Sequence, residues 1–102
     1  MTSLSITPAV RAGTVVVVLR GSLRRADTPD FAEAVGRLLR AHRPSRMEVD
    51  VSRLLELEPG TAEAVLAVLR TASREGTAIV VTHAPSGVRQ RLWAAGGERY
   101  LV

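Results

Sequence analysis

The run Glu58-Pro59-Gly60-Thr61 gathers a carboxylate, a proline ring, a glycine and one hydroxyl at a predicted helix entry. Pro59 is placed as the first helical residue, and Glu58 brings negative charge to the positive end of the helix dipole. A short loop feeding a helix N-terminus is where α/β proteins often put ligand, phosphate or partner chemistry. The same residues would stabilise a helix by about 0.5–1 kcal/mol with no ligand at all. Other chemistry is thinly supplied. His42 and His83 are far apart and lack a third ligand at metal-binding spacing, so no metal site is expected. His83 and Ser86 form the one nearby base–hydroxyl combination, but that spacing is not evidence for a dyad, and no oxyanion loop accompanies it. The chain has no cysteine, which excludes a disulfide, a thiol nucleophile and a thiolate metal site. It has no lysine and no Gly-x-x-x-x-Gly-Lys-Ser/Thr loop, which excludes P-loop nucleotide binding. No cofactor and no enzymatic activity are expected.

The elements that must position these residues follow from hydrophobic period and turn chemistry. Leu4-Ser5-Ile6 alternates as a short strand that Pro8 confines to an edge. Thr14 to Arg20 is a continuous β-branched run, read as a strand buried on both faces and joined to the first by a tight turn at Gly13. Thr28 as N-cap, Pro29 at the first helical position and acidic Asp30 and Glu33 open a helix. Its stripe is Phe31, Val35, Leu38 and Leu39, and Pro44 blocks its continuation. Met47 to Val51 is a second apolar strand, followed by a linker. The helix from Pro59 to about Glu75 buries Ala62, Val65, Leu66, Leu69 and Ala72, with Gly76 just past its end. Thr77 to Val81 is a further strand. A last helix opens near Pro85-Ser86, buries Val88, Leu92 and Ala95, and ends at Gly96-Gly97, leaving Arg99 to Val102 for a final short strand. Strand, helix, strand from Met47 onward predicts a parallel crossover.

Composition sets the limits. A chain of 102 residues is expected to form one domain, residues 1–102, with a single core. Only 3% of residues are aromatic, so that core must be built from Val, Leu, Ile and Ala. The net charge is +4, and all fourteen basic residues are arginines. They are dispersed and not interleaved with aromatic residues, so nucleic acid is not an expected partner, although a positive field favours acidic ones. No apolar run reaches the roughly 18 residues of a membrane span, and no signal-peptide pattern opens the chain. The expected location is the cytoplasm, without direct membrane insertion.

The element order, together with several residues, resembles the STAS domain of bacterial anti-sigma factor antagonists over nearly the whole chain. Gly21-x-Leu23 with Pro29 at a helix start resembles the family's Gly-x-Leu-Asp turn and first helix. Asp50-Val51-Ser52 resembles its Asp-Leu-Ser, Gly76 its glycine before the fourth strand, and Pro85-x-x-Val88-x-x-x-Leu92 with Gly96 its last helix. The resemblance implies a small α/β sandwich, a four- or five-stranded mixed sheet with helices mainly on one face. It also implies a regulatory protein-binding role, with an anti-sigma factor of the ATPase-kinase class as partner. A STAS-type subunit of a lipid-transport ABC complex and a self-associating scaffold, such as a homodimer, are the alternatives. Family members switched by a kinase carry Asp-Ser-Ser-Gly at the second helix entry, with the second serine phosphorylated. Aligned without gaps, that motif falls on Glu58, Pro59, Gly60 and Thr61. The acceptor position is therefore Gly60, with no hydroxyl, and Thr61 is the single local substitute. Arg24 stands where the family turn has an aspartate, a reversal of charge. The partner face implied by resemblance comprises Ser22, Arg24, Arg25 and Asp27 from the turn, with Glu58, Pro59, Gly60 and Thr61 from the helix entry. Asp27 also serves as a capping and solvating acid.

Overall fold

A computed structural model describes residues 3–102 and arranges them as one mixed sheet with its helices packed on one face. Strand β1 (Ser5–Arg11) pairs antiparallel with β2 (Thr14–Leu23) through a two-residue turn. Ala12 and Gly13 both take positive φ there, the conformation that a tight hairpin of this hand requires. β1 runs through Pro8, longer than the Leu4–Ile6 segment expected, because an edge strand can spare one ladder donor. Parallel pairing then joins β2 to β3 (Arg46–Leu57) and β3 to β4 (Ala78–Thr82), giving the order β1-β2-β3-β4.

Helices α1 (Thr28–His42) and α2 (Ala62–Arg74) make the two crossovers, and α3 (Ser86–Ala94) follows β4. Successive crossovers that step the same way across a sheet place their helices on the same side. Phe31, Val35 and Leu39 of α1, Val65, Leu66 and Leu69 of α2, and Val88 and Leu92 of α3 meet in one cluster. Val15, Val17, Leu19, Met47, Val49 and Val51 of the sheet complete it. Fully buried Leu66 and Leu69 are each worth about 2 kcal/mol of transfer free energy.

That one-sided packing corrects the reading of β2 as buried on both faces. Val15, Val17 and Leu19 are buried, whereas Val16 and Val18 point to the opposite, uncovered face and stay partly exposed. Continuous β-branching reports strand propensity, not two-sided cover. The first helix also starts differently. Arg25–Asp27 form a 3₁₀ turn that runs directly into α1, so Asp27 takes the capping position and Thr28 is already helical. The expected final strand is a 3₁₀ turn (Glu98–Tyr100) followed by a single bridge from Leu101 to Val81. Among the described residues, no helix is long and apolar enough to cross a membrane.

Candidate functional site

Past the pairing with β4, β2 and β3 extend together and carry the two predicted partner segments to the same end of the sheet. The extension is irregular. Val18 faces Asp50 but Arg20 faces Arg53, and Gly21 faces Leu54 but Ser22 faces Glu56, so β3 holds an extra residue at each of two places. The first bulge lies at Asp50-Val51-Ser52, where the Asp50 carboxylate accepts the Ser52 amide N–H at 2.9 Å. Burial alone would raise the Asp50 pKa. The Ser52 amide and hydroxyl, with smaller contributions from His83 and Arg53, outweigh it and hold the carboxyl below its usual value. At the second bulge Gly21 adopts φ +97, which a side chain would strain, and Leu55 is left unpaired with 74% of its surface exposed. The expected linker after Val51 is thus strand, bent twice. Leu54 and Leu55 in succession were the missed signal, since strand alternation cannot bury both without a bulge.

The strands end in a backbone bond from Glu58 N–H to the Leu23 carbonyl, 3.0 Å. Glu58 Oε1 then accepts the Arg25 N–H at 3.0 Å across the two segments. Glu58 therefore ties the Ser22–Asp27 turn to the helix entry rather than capping a helix. Pro59 does not start α2 either. Thr61 N–H donates to the Glu58 carbonyl at 3.0 Å, and Gly60 takes φ +85. Proline then glycine at the centre of that bond is the pattern of a type II turn, which precludes α-helical geometry until Thr61. α2 begins only at Ala62.

The predicted residues are therefore brought together, with one exception. Ser22, Arg24, Asp27 and Glu58 are partly exposed, and Arg25, Pro59 and Gly60 are exposed. Thr61 is completely buried, and its hydroxyl has no hydrogen-bond partner. It contributes no surface to a partner and offers no accessible hydroxyl to a kinase. Arg24 is bound within its own turn, since Asp27 Oδ2 accepts the Arg24 amide at 2.9 Å and lies 3.5 Å from Nε. The remaining candidates lie elsewhere. His83, at φ +58 after β4, has Nδ1 3.8 Å from Asp50 Oδ1. Among the described residues, no group of three His, Cys, Asp or Glu side chains could hold a metal ion.

Comparison with known proteins agrees with this architecture. The family model described as "Mlab, STAS domain" matches residues 6–102. An anti-sigma factor antagonist from Mycobacterium paratuberculosis is similar in structure, with a TM-score of 0.77 and 18% identity, covering 97% of this chain and 83% of that one. The anti-sigma factor antagonist SpoIIAA in its unphosphorylated form gives a TM-score of 0.75 at 14% identity, covering 96% and 86%. Mglu gives a TM-score of 0.70 at 13% identity over 80% of this chain, which spans only 20% of that protein. No curated protein sequence matches the chain. At these identities the structural likeness establishes the fold.

Proposed function

We propose that this chain, which belongs to the STAS domain family, is a non-enzymatic regulatory module that binds an anti-sigma factor of the ATPase-kinase class without being phosphorylated at the family position. Binding takes place in the cytoplasm. The observation that carries this reading is the Arg25 N–H to Glu58 bond. It joins two segments distant in sequence into one exposed surface, at the sheet end that the family resemblance assigns to the partner. The likeness to two anti-sigma factor antagonists supports the class of role. Gly60 has no hydroxyl and Thr61 is enclosed, so control by phosphate at this turn has no acceptor.

The reversed charge at Arg24 sets the partner's chemistry. A partner surface that meets this turn must be acidic where it touches Arg24, because a like-charge contact costs affinity and slows association. Titrating the purified anti-sigma factor kinase in a calorimeter tests this. Arg24→Asp is expected to weaken binding by about three- to tenfold at low salt, with the difference shrinking at high salt. Incubation with the kinase and ATP is expected to leave residues 58–61 unmodified in the mass spectrum. Absence of binding, or unchanged affinity in a folded Arg24→Asp protein, would refute the reading. The description of the matching family model as Mlab favours a second reading, a STAS-type subunit of a lipid-transport ABC complex. Stoichiometric co-elution with the transport ATPase instead of the kinase would select it.

A further inference from the structure

At the opposite end of α2, Arg70, Ser73 and Arg74 line an open cleft of about 210 Å³ whose other wall is Arg99 and Tyr100. Among the described residues, none of these three guanidinium groups has a carboxylate within ion-pair distance, while Arg37 and Arg46 lie against Glu33 and Glu48. Arg70 and Arg74 are one helical turn apart, a like-charge spacing that destabilises a helix. Arg99 stands over the Tyr100 ring, its Cζ 5.9 Å from the centroid, so its fork is oriented rather than free to sweep. A Cβ built on Gly96 would lie 3.9 Å from Arg70 Nη2, and Gly96 N–H donates to the Trp93 carbonyl at 2.9 Å. The turn that ends α3 therefore borders the same cleft, and Trp93, 54% exposed, lies on the last turn of that helix. Arginine and tryptophan are the residue types that most often dominate binding at protein interfaces.

We propose that this cleft is a second interaction surface, which docks an acidic segment of a partner protein. The geometry favours a chain of carboxylates over a single compact anion. The arginines are spread over more than a helical turn, each able to hold a carboxylate with two N–H donors. The last carbonyls of α2 point to this end, where their partial negative charge opposes a concentrated dianion. The surface is independent of the Arg24–Glu58 face. At about 1.5 Å per residue, Arg70 and Arg74 stand roughly 13–20 Å along α2 from Thr61.

Binding at this surface is followed by calorimetry. The probe is a glutamate-rich synthetic peptide, titrated at low salt into the wild-type chain. The same titration is run on Arg70→Gln/Arg74→Gln/Arg99→Gln and on a control of equal charge loss, Arg11→Gln/Arg37→Gln/Arg40→Gln. Wild type is expected to show saturable binding. The cleft variant is expected to bind about tenfold more weakly, the sum of three modest exposed pairs, and the control less than about twofold. Equal weakening in both variants would reduce the effect to net charge and overturn the proposal. So would a flat response to the peptide, or a response given by inorganic phosphate or phosphatidylglycerol vesicles but not by the peptide. Circular dichroism checks folding of each variant. If the triple cleft variant unfolds, Arg99→Gln decides, with about twofold weaker binding expected against unchanged binding in Arg37→Gln, and equal effects in the two overturning the proposal.

Discussion

The N-terminal end of α2 is assembled from backbone bonds and one carboxylate, with its hydroxyl enclosed. The C-terminal end leaves three arginines in water around an open cleft. At the first end almost every polar group has a partner inside the chain, so substitutions there should register in stability. At the second the charges support little of the fold, so substitutions should register only when something binds. A helix whose two ends differ in this way can present one rigid surface and one adaptable surface without either disturbing the other.

The sharpest way to break this contrast is to force a side chain onto the turn. Gly60→Ser would have to hold φ near +85, and a left-handed residue with a Cβ costs about 1–2 kcal/mol. Nothing stands within 4 Å of the added Cβ, so the cost is conformational rather than steric. A denaturant midpoint equal to wild type would show that the turn relaxes freely and is not rigid. Thr61→Val should act in the opposite direction. The buried Thr61 hydroxyl has no partner, and replacing it with an apolar group of the same shape should stabilise the fold by about 1 kcal/mol. A loss of stability in the melt would mean that the hydroxyl is bonded and the helix entry differs from that described.

Glu58→Ala removes the acceptor that ties the two segments. A loss of about 0.5–1 kcal/mol is expected, with faster hydrogen exchange at the Arg25 amide than at Val65. Uniform exchange at both would mean that Glu58 does not couple the segments. The smallest effect belongs to Asp50, whose carboxyl is held below its usual pKa in the fold. Such a group adds stability above its unfolded pKa, near 4, and loses it as pH falls through the depressed value. Asp50→Asn should therefore be less stable than wild type at pH 7, and the gap should narrow as pH falls below about 4. A gap that widened on acidification would reverse the sign and remove Ser52 as the group that stabilises the charge.

Much of the frame could be read before any coordinates. Period, caps and turn residues located all three helices and the three strands that follow the hairpin turn, and their order led to a parallel crossover, while the mixed sheet with helices on one face was implied by the STAS resemblance. The misreadings cluster where long-range pairing competes with local preference. Pro59 is a good first helical residue by propensity, yet with Gly60 it forms the turn that joins β3 to α2. Thr28 is a good cap by type, but the preceding 3₁₀ turn moved the cap to Asp27, whose carboxylate turned back to the Arg24 amide. Residues 52–57 lack clean alternation because two bulges interrupt it, and only the pairing with β2 makes them a strand.

By itself, then, the sequence determined which segments are apolar, where the chain can turn, and that position 60 carries no hydroxyl. Those properties belong to single side chains and their near neighbours. Tertiary structure decided that Glu58 binds the Arg25 amide, that Thr61 is buried, and that Arg70, Arg74 and Arg99 share one cleft. Each depends on which distant residues the sheet register and helix packing bring into contact, and a hydrogen bond or a buried surface exists only once both partners are in place.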